Sequence, residues 1–162
     1  VGVMGDERTY MNLVLTTGNP DFKSRKQAAN RIVNGTRGVG RVAYCWGVDE
    51  LDQDKLFSIN PLNWDRETIG MLREYDYLIR KAHKELGVEN GISQDVIVLL
   101  PGVERPCIGI RSIGTFDYMT SSPFEYPPQV AGEIVERVLA KGDIENVVFD
   151  DTTKPPATIE WL

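Results

Sequence analysis

The sequence predicts an α+β fold: antiparallel sheets with helices packed on one face, arranged as two similar strand–helix–strand units about a pseudo-twofold axis. Three observations point there. Segments of strand character alternate with segments of helical spacing, joined by short hairpin-like links. The chain contains neither a phosphate-binding glycine loop nor a long βαβ series, which disfavours a doubly wound parallel sheet. The order strand, helix, strand runs from Thr9 to Trp46 and again from Cys107 to Asp150. Val39-Gly40-Arg41-Val42-Ala43-Tyr44 and Ile144-Glu145-Asn146-Val147-Val148-Phe149 occupy equivalent places in that order, the mark of a weak internal duplication. The reading divides the chain into a first unit (residues 1–47), a linker and connecting helix (48–94) and a second unit with a terminal arm (95–162).

The elements follow in order. Residues 1–4 read as a short strand and Gly5-Asp6-Glu7-Arg8 as a polar turn. Thr9–Thr17 is rich in strand formers. Asn19 is the expected cap of a first helix, with Pro20 at its first position and Gly35 or Gly38 at its end. Arg41–Trp46 is a buried strand, and Val48–Asn63 an acidic connection. Asp65 caps the clearest helix: Ile69, Leu72, Tyr75, Ile79, Ala82 and Leu86 step at three and four, and Gly87 closes it. His83 within it reads as a packed or surface residue. Asp95–Leu100 and Cys107–Phe116 are strands, Pro127-Pro128 opens a helix closed by Gly142, and Asn146–Asp150 is the last strand.

With 162 residues the chain is long enough to bury a core without staples. Its hydrophobic content of 41% and charged content of 26% are those of an ordinary soluble domain. A net charge of −6 argues against a nucleic-acid partner. No apolar run is long enough to span a membrane, no signal peptide opens the chain, and the start at Val1 in mid-strand reads as a cut from a longer protein. Cys45 and Cys107 lie in apolar surroundings, which favours reduced thiols and a cytoplasmic setting.

The last stretch, Lys154 to Leu162, concentrates the candidate chemistry. Pro155 and Pro156 stiffen the chain after Lys154. Ala157, Ile159 and Trp161 then alternate with Thr158 and Glu160, as on a half-buried strand. A cation and a carboxylate are thereby presented from an anchored segment, an arrangement suited to a small polar ligand. The alternative is a packed terminal strand with solvated charges.

Two long segments carry a family resemblance. Gly2-Val3-Met4-Gly5-Asp6-Glu7-Arg8-Thr9-Tyr10 and Lys154-Pro155-Pro156-Ala157-Thr158-Ile159-Glu160-Trp161 resemble the opening and closing motifs of the C-terminal domain of GMP synthase. Asp117-Tyr118-Met119-Thr120 is similar to that domain's D-x-M-T segment, and Gly91-Ile92-Ser93-Gln94 to a segment of the longer type with a duplicated dimerisation unit. The chain departs from the family in ending Glu-Trp-Leu instead of Glu-Trp-Glu, and residues 21–34 match only loosely. The resemblance implies a part of the ligase that aminates XMP to GMP with ATP, Mg and glutamine-derived ammonia. The glutaminase and ATP-pyrophosphatase domains of the same enzyme are then its partners, and this region is inactive alone. Carried over position by position, Asp6, Arg8, Gln94, Lys154 and Glu160 are the implied XMP contacts. No metal ligand and no cofactor of its own are implied. Lys154 suits phosphate, Asp6 and Glu160 accept from hydroxyl or base N–H groups, and Gln94 can do both.

Two other classes of function compete. One is an assembly module whose function is its interface; the other is a free-standing domain that binds a purine nucleotide. The duplication also predicts a monomer, with the pairing satisfied inside one chain, against the alternative of an ordinary dimer.

Overall fold

The computed structural model describes residues 2–4, 7–9, 11–52, 58–159 and 161, with side chains from residue 11 onward. Eight strands are described: β1 Gly2–Met4, β2 Glu7–Thr9, β3 Asn12–Thr16, β4 Val39–Cys45, β5 Gln94–Leu100, β6 Cys107–Gly114, β7 Ser122–Pro123 and β8 Val147–Asp150. The helices are α1 Phe22–Gly35, α2 Arg66–Glu85 and α3 Pro128–Leu139, with a 3₁₀ turn at Glu89–Gly91. The expected α+β class holds.

Local signals place the helices. Asp65 Oδ1 accepts from Thr68 N at 2.8 Å and starts α2 where the sequence predicts. Gly87, at φ 73°, ends it in the left-handed region that glycine enters without strain. For α1 the cap is Asp21, two residues beyond the expected Asn19: its Oδ1 accepts from Ser24 N at 2.9 Å. Pro128 opens α3 as expected.

The main sheet runs β3-β4-β8-β6-β5, with β7 on β6, and a separate antiparallel hairpin joins β1 to β2. Glu7 and Arg8 are therefore paired strand residues, not part of a turn. The expectation of an antiparallel sheet is corrected: the sheet is mixed. β3 and β4 are parallel across α1, and β6 and β8 are parallel across α3, because each helix returns the chain to the same end. The two second strands, β4 and β8, meet antiparallel at the centre, Tyr44 opposite Phe149.

All three helices cover one face of the sheet. Tyr75, Ile79 and Ala82 of α2 and Ala131, Ile134 and Val138 of α3 pack on Ile97, Leu99, Ile108, Ile110, Val147 and Phe149. Each such large side chain contributes roughly 1.5–3 kcal/mol through burial. Ala29 of α1 packs on Val39, Val42 and Val14. The intervening residues Leu13, Leu15, Ala43, Cys45, Leu100 and Val148 form a second cluster that Trp161 joins. Strand alternation thus sends the terminal arm to the face without helices.

Cys45 and Cys107 are both free thiols. Burial pushes each up to about 11, so both stay protonated and weakly nucleophilic at neutral pH.

Candidate functional site

β3, β4 and β5 begin, and β6 and β8 end, at the same end of the sheet. Gln94 opens β5 there, opposite Ile113 of β6. Lys154 follows β8 at that end and pairs with Ser121: each backbone N–H donates to the other's carbonyl at 3.0 Å. The β1–β2 hairpin, with Arg8 opposite Val3, leads directly into β3 at the same end. Asp6 and Glu160 lie outside the described residues.

One loop, residues 115–121, joins Gln94's surroundings to Lys154. Ser93 Oγ donates to Thr115 O and accepts from Thr115 N, both at 3.1 Å. Thr115 Oγ1 donates to Thr120 O at 2.5 Å and accepts from Tyr118 N at 3.0 Å. Asp117 Oδ1 accepts from the N–H groups of Met119 (3.0 Å) and Thr120 (3.1 Å), which hold its carboxyl below the ordinary value, Thr120 most strongly. This is the physical content of the D-x-M-T pattern: a short acceptor that closes the turn on itself. Tyr118 adopts φ 57°, uncommon for a residue with a side chain, and its carbonyl accepts from Lys154 Nζ. An ammonium has three donors, so that contact leaves the lysine capacity for a ligand. Phe116 and Met119 project from the same loop, 108% and 73% exposed.

The arm itself is not a strand. Lys154, opposite Ser121, and Ala157 are isolated bridge residues, and both Lys154-Pro155 and Pro155-Pro156 are cis. The predicted alternation still holds for burial: Ala157 (1% exposed) and Ile159 (7%) are inside. Thr158, between them, meets Arg41.

Gln94 also lines a cavity of about 400 Å³ with Arg80, His83, Glu89, Ile92, Ser93 and Asp95. Lys154 is not among its walls. A larger, mostly apolar groove of about 930 Å³ lies on the arm's face of the sheet, between Leu13, Leu15, Cys45, Leu100, Val148 and Trp161; neither Gln94 nor Lys154 is among its described walls.

Sequence reasoning missed two buried polar clusters beside the site. In the first, Arg41 and Arg111 share the Asp150 carboxylate at 2.7 and 2.9 Å, all three at most 4% exposed by side chain. The signal was present: a charge inside an apolar strand must be paired, and each of these interrupts one. In the second, His83 Nδ1 faces Asp95 Oδ2 at 2.9 Å and His83 Nε2 bonds the Tyr126 hydroxyl at 2.8 Å. Ser112 Oγ closes the ring to Asp95 and Tyr126, both at 2.5 Å. Each polar atom of that ring is partnered, which is how a histidine 2% exposed is accommodated. The ring also pins Asp95 on the helix-covered face, and strand alternation then turns its neighbour Gln94 to the other.

Asp151, next to this end of β8, is buried beside Arg25 at 3.5 Å. Burial pushes its carboxyl up to about 7; the Arg25 guanidinium opposes this and Asp150 adds to it. A carboxyl raised in the folded state binds protons there that the unfolded chain has released. Stability therefore falls as pH rises from about 4 to about 7 and is flat above. Asp151→Asn removes this contribution. The difference in Tm between wild type and Asp151→Asn is expected to change across that window and to level off above pH 7.

Among the described residues no group of three or more His, Cys, Asp or Glu side chains is placed to hold a metal ion, and no helix is long and apolar enough to cross a membrane. Fold and site together define an α+β domain whose loop and terminal segment build a polar, lysine-bearing site at one end of a mixed sheet. Residues 82–161 match the family described as GMP synthase C terminal domain. Probable GMP synthases of two Leptospira interrogans serovars are 32% identical to this chain over 165 aligned positions, covering 99% of it and 27% of their own length. The GMP synthase of Mesoplasma florum is 33% identical over 107 positions (59% of this chain, 21% of that protein), and that of Kluyveromyces lactis 32% over 107 positions (59% and 20%). Residues 82–161 belong to the GMP synthase C-terminal domain family, and the chain as a whole matches the C-terminal region of GMP synthase. It spans about a quarter of the length of the Leptospira relatives.

Proposed function

We propose that this chain supplies the XMP contacts of a glutamine-hydrolysing GMP synthase, in the ATP-dependent amination of XMP to GMP. One observation carries the reading: Ser93, next to Gln94, and Lys154, far apart in sequence, bond the two sides of one loop at the sheet end where the β1–β2 hairpin and the terminal arm also enter. Lys154 meets the phosphate, and Gln94 the base or ribose. Asp6, Arg8 and Glu160 complete the set from the hairpin and the arm. ATP, Mg and glutamine chemistry belong to the other domains of the enzyme, and this region alone is inactive. The enzyme works in the cytoplasm. For the full-length enzyme, Gln94→Ala is expected to raise the XMP KM about tenfold, the equivalent of one lost hydrogen bond to a polar ligand, with the KM for ATP unchanged. An unchanged XMP KM removes Gln94 from the site.

The scaffold of this reading is an internal pseudo-dimer. β3-α1-β4 and β6-α3-β8 repeat one order of parts, with their second strands antiparallel at the sheet centre, as a twofold axis between β4 and β8 requires. The family model covers residues 82–161, whereas the Leptospira relatives align with the first unit too. Tethering the units replaces a concentration-dependent contact with an intramolecular one. A monomer is expected across a broad concentration range in sedimentation analysis. A dimer stable at low micromolar concentration contradicts it.

A further inference from the structure

We infer that Arg41 and Arg111 are positioning residues that lock the Lys154-bearing arm, so that the first unit, which has no such arm, anchors the arm of the second. The inference rests on the XMP reading for its functional consequence but not for the anchor itself. Arg41 lies in β4 of the first unit and Arg111 in β6 of the second; Arg41 Nη1 donates to Asp150 Oδ2 at 2.7 Å, and Arg111 Nη1 forms an ion pair with the same oxygen at 2.9 Å. The chain that leaves β8 is then bonded at nearly every step. Thr152 N donates to Asp150 Oδ1 (2.9 Å), and Thr152 O accepts from Arg111 Nη1 (2.9 Å). Thr152 Oγ1 accepts from Val42 N (2.9 Å) and donates to Val42 O (3.2 Å). Beyond the prolines, Arg41 Nη2 reaches the carbonyl (3.1 Å) and hydroxyl (2.9 Å) of Thr158, and its guanidinium lies 5.0 Å from the Trp161 ring centroid. Arg41 thereby grips the arm on both sides of Thr158, and Lys154 is held between two fixed points.

Stability does not account for this cluster. Two guanidinium groups share one carboxylate out of water, and Nε and Nη2 of Arg111, fully buried, have no hydrogen-bond partner among the described residues. Apolar side chains of the same volume would be as stable or more so. What apolar side chains cannot do is select one path for the chain: the hydrogen bonds from Arg111 to Thr152 and from Arg41 to Thr158 form only with those residues where they are.

The test uses the full-length protein and three variants: Arg41→Lys, Thr158→Val and Lys154→Ala. Arg41→Lys keeps a cation for Asp150 but loses the fork that reaches Thr158; Thr158→Val removes only a hydroxyl. Amide hydrogen exchange of residues 152–159 is expected to quicken in Arg41→Lys while the β5–β6 amides do not change, and exchange unchanged at 152–159 overturns the anchor. For activity, Arg41→Lys is expected to raise the XMP KM about tenfold and Thr158→Val about threefold, with kcat and the KM for ATP within twofold of wild type. Combined with Lys154→Ala, the Arg41→Lys effect is expected to be less than multiplicative, because both act through one contact. Fully independent effects, or an unchanged XMP KM in Arg41→Lys beside a raised one in Lys154→Ala, overturn the positioning role. An unchanged XMP KM in Lys154→Ala itself contradicts the XMP reading, and the exchange measurement still decides the anchor.

Discussion

In the full-length enzyme, Lys154→Ala is expected to raise the XMP KM by ten- to more than a hundredfold. Lys154 is carried on a segment fixed at Ser121, so in the proposed role its ammonium offers a charge-assisted hydrogen bond without first ordering a flexible tail. Losing one such bond costs on the order of 1.5–3 kcal/mol. Glu160→Ala is expected to act in the same direction without unfolding the domain, because buried Ala157 and Ile159 and the Arg41–Thr158 hydrogen bonds remain to hold the arm. Steady-state kinetics with XMP varied at saturating ATP reads both. Normal XMP kinetics in both variants makes the arm structural and leaves the chain an assembly module.

The largest expected loss of stability follows from Asp150→Ala. The carboxylate is 0% exposed by side chain, accepts from Arg41 and the Thr152 amide, and is the ion-pair partner of Arg111. Its removal leaves two buried guanidinium groups facing each other, a change of about 3–5 kcal/mol. At about 2–4 °C per kcal/mol for a chain of this size, Tm falls by roughly 6–20 °C. Thermal unfolding followed by circular dichroism checks it. A fall of only a degree or two shows that water or rearrangement relieves the charges, and that the cluster is not the closed unit its distances describe.

How much of this was legible in the sequence depends on range. The α2 helix was readable end to end because its signals are local: Asp65 three residues before Thr68, apolar steps of three and four, Gly87 after the last turn. The α1 cap was misplaced because Asn19 and Asp21 are both good caps, and the choice is made by Ser24, which bonds Asp21 through both N and Oγ. The mixed sheet was not legible. Whether a strand–helix–strand unit closes parallel depends on where the helix docks, a property of tertiary packing that no strand pattern encodes. The same holds for the Arg41–Asp150–Arg111 cluster. Each residue read singly is an odd charge in an apolar strand, and only the β4-β8-β6 order makes them neighbours. The terminal arm was legible in the burial of Ala157 and Ile159, and its anchoring was not, since the partner of Thr158, Arg41, lies far away in the sequence.

The central claim is that one end of the mixed sheet binds XMP through elements drawn from the whole chain. Hydrogen–deuterium exchange of the full-length protein with and without XMP tests it most directly. The account predicts slowed exchange in three separate stretches, around Gln94, across residues 115–121 and across 152–159, with no change in the turns at the opposite end of the sheet, residues 101–106 and 142–146. Protection confined to that opposite end, or none in any of the three stretches at saturating XMP, contradicts it.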